Sequence, residues 1–244
     1  MKRAIIALAL IAAGSAGAAE IKVIGSPGFR EAYTDLLPGF EKATGHKVTT
    51  IWGGVNEVAN RVAKGEVADI VILPEKQINE LIQAGKIDAG AKASVARSGV
   101  GVAIATGAAK IPATSDAIKA ALLKAKTISW STGPSGVHMQ EIVRAWGIAD
   151  QVKGKIVVSP PDTPVGVVVA RGDAEIGFQQ VSELINIKGI QYLGPLPADI
   201  QETTVFSAAV HKTAAQSDAA RALVKYLSAP EAAPAIRKTG MDPG

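Results

Sequence analysis

From Ile21 onward, short runs rich in β-branched residues alternate with segments whose apolar side chains recur at helical spacing. Residues 21–24 read as a strand, and Phe29, Ala32, Tyr33, Leu36, Leu37 and Phe40 then mark one face of a helix that ends at Gly45. Pro38 falls inside that helix and is expected to kink or split it, because proline lacks the N–H donor and crowds the preceding turn. Residues 48–52 form the next strand, Val58, Ala59, Val62 and Ala63 a second helix closing near Gly65, and residues 69–73 a third strand. The alternation continues with a helix through Ile78, Leu81 and Ile82, a strand at 98–105, a helix capped by Ser115, and a strand at 127–130. Met139, Ile142, Val143 and Trp146 line a further helix, followed by a strand at 156–158, a helix at 165–170 and a strand at 176–178. Strands at 191–193 and 203–210 and helices from Ala214 and Pro230 complete the chain. Strands that alternate with helices imply mainly parallel sheets covered on both faces.

Residues 1–19 stand apart from this pattern. Lys2 and Arg3 precede an apolar run over residues 4–13, and small residues occupy 14–19. Such a run is too short for a membrane span, which takes roughly 20 apolar residues, and it has the order of a secretory signal peptide cleaved near Ala18 or Ala19. The expected location is the periplasm. The remaining length exceeds the commonest single-domain size, with no low-complexity linker to divide it, so two closely joined lobes are expected. The 26 Lys and Arg outnumber the 22 Asp and Glu, but without Lys2 and Arg3 the excess is only 24 − 22 = 2, and aromatic residues make up 4%. A nucleic-acid binder needs a basic stripe with rings to stack on, so that class is excluded. Cysteine is absent, which rules out disulfides and thiolate metal sites.

The corners where strands give way to helices share a chemistry. Residues 25–28 (Gly-Ser-Pro-Gly), 52–56 (Trp-Gly-Gly-Val-Asn), 131–136 (Ser-Thr-Gly-Pro-Ser-Gly) and 161–164 (Pro-Asp-Thr-Pro) each join glycine or proline to a hydroxyl or amide. Open α/β sheets bind ligands beyond the carboxyl ends of their strands, and helix N-termini carry unpaired N–H groups and a positive dipole end. Converging corners therefore suit a small anion and require neither a metal nor a cofactor. Ser26, Ser135 and Thr163 are also residues that cap helices without any ligand.

Four stretches carry a resemblance: residues 40–45 (Phe-Glu-Lys-Ala-Thr-Gly), 63–72 (Ala-Lys-Gly-Glu-Val-Ala-Asp-Ile-Val-Ile), 133–136 (Gly-Pro-Ser-Gly) and 169–178 (Val-Ala-Arg-Gly-Asp-Ala-Glu-Ile-Gly-Phe). In their order and spacing the chain resembles the bacterial solute-binding proteins of the molybdate-binding type, within the type II periplasmic binding fold. That resemblance implies two α/β lobes with mainly parallel sheets joined by two crossings, near residues 97–105 and 192–207. The expected first lobe is 20–97 with 205–244, and the second is 98–204. It further implies a monomer that closes on its ligand and delivers it to an ABC permease in the inner membrane. Of the family's ligand positions, the serine after the first strand matches Ser26 and the residue of the Pro-x-Gly corner matches Ser135, beside Gly136. The family's second serine falls among Gly53, Gly54 and Val55, next to Asn56, and its tyrosine falls on Gln180. A fifth contact falls at Thr163 or just after it.

Loss of a hydroxyl and a phenol weakens a tetrahedral-oxyanion cage, because a buried anion needs every donor it can find. Arg97, followed by Ser98 at the start of the expected crossing, offers a planar fork that matches a carboxylate. The expected ligand is thus a small organic acid, with a molybdate-like oxyanion as the alternative and an exposed Arg97 as the structural one. Enzyme motifs are missing: His46, His138 and His211 lie far apart without metal spacing, no nucleophile elbow or phosphate loop occurs, and Glu183 has no obvious carboxylate partner. His46 and His211 read as surface residues. His138, two positions past Gly136, is the one candidate base, and some aconitate isomerases resemble this same family; isomerisation of aconitate is the second functional reading.

Overall fold

A computed structural model describes residues 17–160 and 163–244. The chain begins β1 (Glu20–Gly25), α1 (Arg30–Thr44), β2 (Lys47–Trp52), α2 (Val55–Ala63), β3 (Ile70–Pro74) and α3 (Glu75–Gln83). It continues through β4 (Ile87–Ala105), α4 (Ser115–Lys124), β5 (Ile128–Trp130), α5 (Pro134–Ala145), α6 (Ala149–Val152), β6 (Ile156–Val158) and α7 (Val165–Ala170). The remainder is β7 (Ile176–Gln180), α8 (Val181–Leu184), β8 (Ile190–Pro195), β9 (Thr203–His211), α9 (Ser217–Leu227), α10 (Ala233–Lys238) and β10 (Asp242–Pro243).

Two α/β lobes share one strand. In the first, β1 pairs in parallel with β2 and β3, and β9 and β4 extend the sheet antiparallel. In the second, β5 pairs in parallel with β6 and β7, and β4 and β8 extend it antiparallel. β4 serves both: it pairs with β9 from Ile87 to Gly99 and with β7 from Val100 to Ile104. The return crossing runs between the end of β8 at Pro195 and the start of β9 at Thr203. Its geometry is pinned by Gln201, whose side-chain oxygen accepts from Val100 N at 2.8 Å while its nitrogen donates to Val100 O at 2.9 Å. These bonds add to the one that Leu196 N makes to Val100 O at 2.8 Å.

The inner strands of both sheets are buried on both faces, while the edge strands β2 and β6 are partly exposed. Ile21, Val23, Ile70 and Ile72 pack with Phe29, Tyr33, Phe40 and Leu223 on one side of the first sheet. Ile24, Val71 and Leu73 pack with Val58, Val62 and Ile78 on the other. The second sheet repeats the scheme with Ile128, Phe178 and Met139 on one side and Val165, Val169 and Ala174 on the other. Each large apolar side chain so removed from water contributes about 1.5–3 kcal/mol, so both lobes have cores that position the corners rigidly.

Several local expectations are corrected. α1 runs unbroken through Pro38; the proline sits on the exposed face, where water can take the carbonyl that loses its N–H partner. Thr114, not Ser115, caps α4, its hydroxyl accepting from Ala117 N at 3.3 Å. β4 starts eleven residues before the expected 98, because its first half contains Gly90 and two register shifts that break the strand alternation. The helix expected from Ala214 begins at Ser217. His211 is buried rather than superficial, 5% exposed, and burial pushes its imidazole below the ordinary range.

Candidate functional site

The corners meet between the lobes. An inner cavity of about 50 Å3 is lined from the first lobe by Ser26, Gly28, Gly54 and Phe206, and from the second by Ser131, Ser135, Ser159, Thr163, Gln179, Gln180 and Glu183. It shares Val55, Thr132, Gly133 and Pro134 with an outer pocket of about 410 Å3, which Asn56, Lys76, Asn79, Glu141 and Glu202 also line.

Many of the lining groups sit at or near helix starts, while Gln179 and Phe206 come from strands. Ser26 precedes a short 3-10 turn, Pro27–Phe29, that leads directly into α1. Its hydroxyl caps nothing: the side chain is 1% exposed and Oγ has no hydrogen-bond partner. A buried unpaired hydroxyl costs about 1–3 kcal/mol, a cost that a ligand acceptor in the cavity would offset. Gly54 starts α2 and Gly133 starts α5, with Pro134 in the first helical position. Ser135 lies inside α5 rather than at its cap, and its Oγ is 3.5 Å from Ser131 Oγ, which accepts from Gly133 N at 3.2 Å. Gly136 is required by close approach: a Cβ there would lie 1.7 Å from the Ser131 carbonyl oxygen. Gly28 is similarly confined, a Cβ meeting the Phe206 ring at 2.2 Å. Ser159 Oγ donates to Thr163 O and folds the corner before α7 back on itself; Pro161 and Asp162 of that corner lie outside the described residues.

A hydrogen-bonded chain runs along the second-lobe wall. Gln179 Oε1 accepts from Val165 N at 2.7 Å, and Gln179 Nε2 donates to Glu183 Oε1 at 2.7 Å. Burial pushes the Glu183 carboxyl up to about 7, against the opposing pull of the Arg30 charge and the Gln179 hydrogen bond. Arg30, the first residue of α1, stacks its guanidinium 5.4 Å from the centre of the Trp52 ring, and its buried Nε is unpartnered.

Of the residues singled out in the sequence, Ser26, Gly54, Ser135, Thr163 and Gln180 line the inner cavity and Asn56 the outer pocket. Gln180 also ties the crossings, with its amide nitrogen toward Ser98 O at 3.1 Å and its oxygen accepting from Thr204 Oγ1 at 2.9 Å. Gly53 lies behind the wall, donating from N to Gly25 O at 3.0 Å. Arg97 is not brought to the site: it is exposed, its Nε donates to Pro243 O at 3.2 Å, and its strand partner is Asp242 of β10. Strand alternation sends Arg97 and the buried Ser98 to opposite faces, so the two could not both point into the cleft. His138 does not line either pocket; its ring nitrogens lie 2.7 Å from Ile200 O and 2.8 Å from Oε2 of Glu202, which lines the outer one. The sequence reading missed Arg30, Ser159 and Gln179 and weighed Glu183 only as half of a carboxylate pair. The usable signal was position: Glu183 is three residues past the Gln180 corner and Arg30 four past Ser26, one near the start of α8 and the other the first residue of α1.

Two α/β lobes that bury helix heads, hydroxyls and amides around a cavity between them define a protein that clasps a small ligand. The chain belongs to the bacterial extracellular solute-binding protein family, whose profile matches residues 21–242. It is similar to an aconitate isomerase of a Pseudomonas species, 32% identical over 232 residues that cover 91% of this chain and 87% of that one. It is 28% identical to the molybdate-binding protein ModA of Azotobacter vinelandii, covering 98% and 97% of the two chains. Among solved structures, the periplasmic molybdate-binding protein of Azotobacter vinelandii superposes with a TM-score of 0.77 at 21% identity, over 91% of this chain and 98% of that one. Members of the family are exported and bind small solutes.

Proposed function

We propose that the protein binds a small organic polycarboxylate between its lobes and, as a monomer, hands it to an ABC permease in the inner membrane. One observation carries the ligand class: the inner cavity, where Ser26 Oγ is unpartnered, is small and continues into a larger outer pocket whose lining offers Lys76, Asn56 and Asn79 as donors, alongside Glu75, Glu141 and Glu202. A compact tetrahedral oxyanion uses only the inner part. An acid with two or three carboxylates uses both, one group among the inner donors and another near Lys76. Residues 1–19 serve as the export signal in this reading. Residues 20–97 with 205–244 move as one lobe and 98–204 as the other, closing about the strand segment where β4 changes partner between Gly99 and Val100.

A thermal-shift screen of molybdate, sulfate, citrate, tricarballylate, cis-aconitate and trans-aconitate tests the ligand class. A ligand at a hundred times its dissociation constant adds about 2.7 kcal/mol of stability, so a true ligand is easily seen. Stabilisation by molybdate or sulfate alone refutes the polycarboxylate reading, and no stabilisation by any anion refutes the anion site itself.

A second reading has a specific observation in its favour: the greater identity to an aconitate isomerase than to the molybdate-binding relative, together with a titratable carboxyl in the cavity. Shifting a double bond along an allylic tricarboxylate needs an anion cage and one group that takes and returns a proton. Ultraviolet absorbance after adding cis-aconitate decides between the two, since accumulation of the trans isomer overturns a purely binding role.

A further inference from the structure

An anion site is an unfavourable place for a carboxylate. Glu183 nevertheless lines the inner cavity together with Ser26, Ser135 and Gln179, and it is the one titratable side chain among the described lining residues. An ionised Glu183 would repel any anion that entered, and the repulsion is large where the surroundings exclude water.

The hydrogen bonds around Glu183 fix where a proton can sit. Gln179 cannot turn its amide around, because its oxygen is already held by the Val165 N–H at the start of α7. Its nitrogen must therefore face Glu183, and it donates to Oε1. Oε1 is occupied as an acceptor, so the carboxyl proton belongs on Oε2. A protonated Oε2 turns Glu183 from an obstacle into a donor of the same kind as the Ser26 and Ser135 hydroxyls.

We propose that the cleft takes up its anion together with one proton, carried on Glu183 Oε2, which donates a hydrogen bond to the bound ligand. The inference rests on the anion reading above. It makes Glu183 a specificity-determining residue: the ligand must offer a hydrogen-bond acceptor at this place, as a carboxylate does, and a ligand donor there would meet another donor.

The neighbours of Glu183 agree with a proton held close to the working range. Arg30 is the charged group whose field reaches it, and that field favours the ionised form while burial favours the neutral one. β7, α7 and the Pro27–Phe29 turn contain no titratable residue, nor does the part of β4 from Val100 to Ile104. Tyr192 of β8 has its phenol pushed up by burial and stays neutral. The carboxyl therefore titrates near neutrality instead of being locked in one state.

Two measurements test this on the full protein. In the ligand-free protein, carbon-13 spectra of glutamate-labelled native and Glu183→Gln samples should reveal one carboxyl titrating near neutral pH that the variant lacks. A Glu183 carboxyl fully ionised by pH 5 overturns the proposal whatever the ligand is. With trans-aconitate as probe, calorimetry at pH 8 in two buffers of different ionisation heat should detect uptake of about one proton per ligand bound. If only the protonated form binds, the dissociation constant should rise about 100-fold between pH 6 and pH 9. Glu183→Gln, whose amide still donates, should bind trans-aconitate with no such dependence and no proton uptake, while Glu183→Asp should keep both. Binding without proton uptake, or an unchanged pH slope in Glu183→Gln, sinks the proposal and leaves the polycarboxylate reading standing. Failure of trans-aconitate, citrate and molybdate all to bind sinks both.

Discussion

Replacing Glu183 by glutamine should stabilise the protein above neutral pH, and the size of the effect follows from the carboxyl's environment. The folded state raises the carboxyl from its ordinary 4.5 to about 7, so between those values the native protein holds a proton that the unfolded chain has released. Stability then falls as pH rises, because the unfolded state binds fewer protons. The contribution is fully present below pH 4.5 and lost once pH passes about 7. At 1.36 kcal/mol per pH unit the loss over that window is about 3 kcal/mol, equivalent to roughly 6–12 °C in melting temperature for a chain of this size. Glutamine cannot ionise, and its oxygen can still accept from Gln179 Nε2. Urea unfolding of native and Glu183→Gln protein at pH 5, 6, 7 and 8 should give curves that agree within about 1 kcal/mol at pH 5 and diverge to about 3 kcal/mol at pH 8. Parallel pH dependences of the two proteins would show that the folded structure does not hold the carboxyl neutral, and the reasoning fails.

Gly136→Ala places a Cβ 1.7 Å from the Ser131 carbonyl oxygen, so the head of α5 must shift; unfolding should show a loss of about 2–4 kcal/mol, and a loss below 1 kcal/mol counts against the close approach. Ser26→Ala removes a buried hydroxyl with no partner, and should leave thermal stability unchanged or raised by up to about 1 kcal/mol while weakening anion binding about tenfold; equal affinity would show that the hydroxyl does not face the ligand. Gln201→Ala strips both side-chain bonds from Val100 and should destabilise the return crossing by about 1–3 kcal/mol in urea unfolding. Arg97→Ala, at an exposed position bonded to Pro243 O, should change ligand affinity less than about twofold; a large loss by calorimetry would return that arginine to the site.

Fold class was legible because burial on both faces writes itself into sequence. The runs at 70–73 and 176–178 are continuously apolar or small, as strands covered by helices on either side must be, and the glycines ending the helices at 45, 65, 85 and 147 adopt the positive φ that their sequence positions implied. The corners were legible for a related reason, since a chain that turns sharply from strand to helix needs small residues such as Gly136, which packs against the Ser131 backbone of its own corner. What did not show was the direction of long side chains. Arg97 and Arg30 carry the same group, and only the pairing of β4 with β10 sends one to solvent, while the α1 head sets the other against Trp52. Gln179 and Glu183 could not be read as a unit, because the bond that orients the glutamine comes from Val165, fourteen positions away.

Elements of both lobes meet beside Glu183, whose carboxyl burial pushes up to about 7. Ser182, its immediate neighbour, donates from Oγ to Gly28 O at 2.7 Å, a bond between positions 154 apart that joins the start of α8 to the turn after β1. Phe206 from the first lobe fills the space beside Gly28 so closely that no side chain fits between them. These contacts lie beside the inner cavity that Glu183 lines. In the proposed reading, closing the cleft and holding the proton are therefore linked. If closure of the cleft favours the protonated acid, then by linkage the protonated acid favours closure to the same extent. A bound anion would add to both, since its charge disfavours ionisation of a carboxyl beside it. Neutral donors alone would grip an anion equally at every pH, whereas a carboxyl at the junction of the lobes would make the strength of the proposed grip depend on the proton concentration outside.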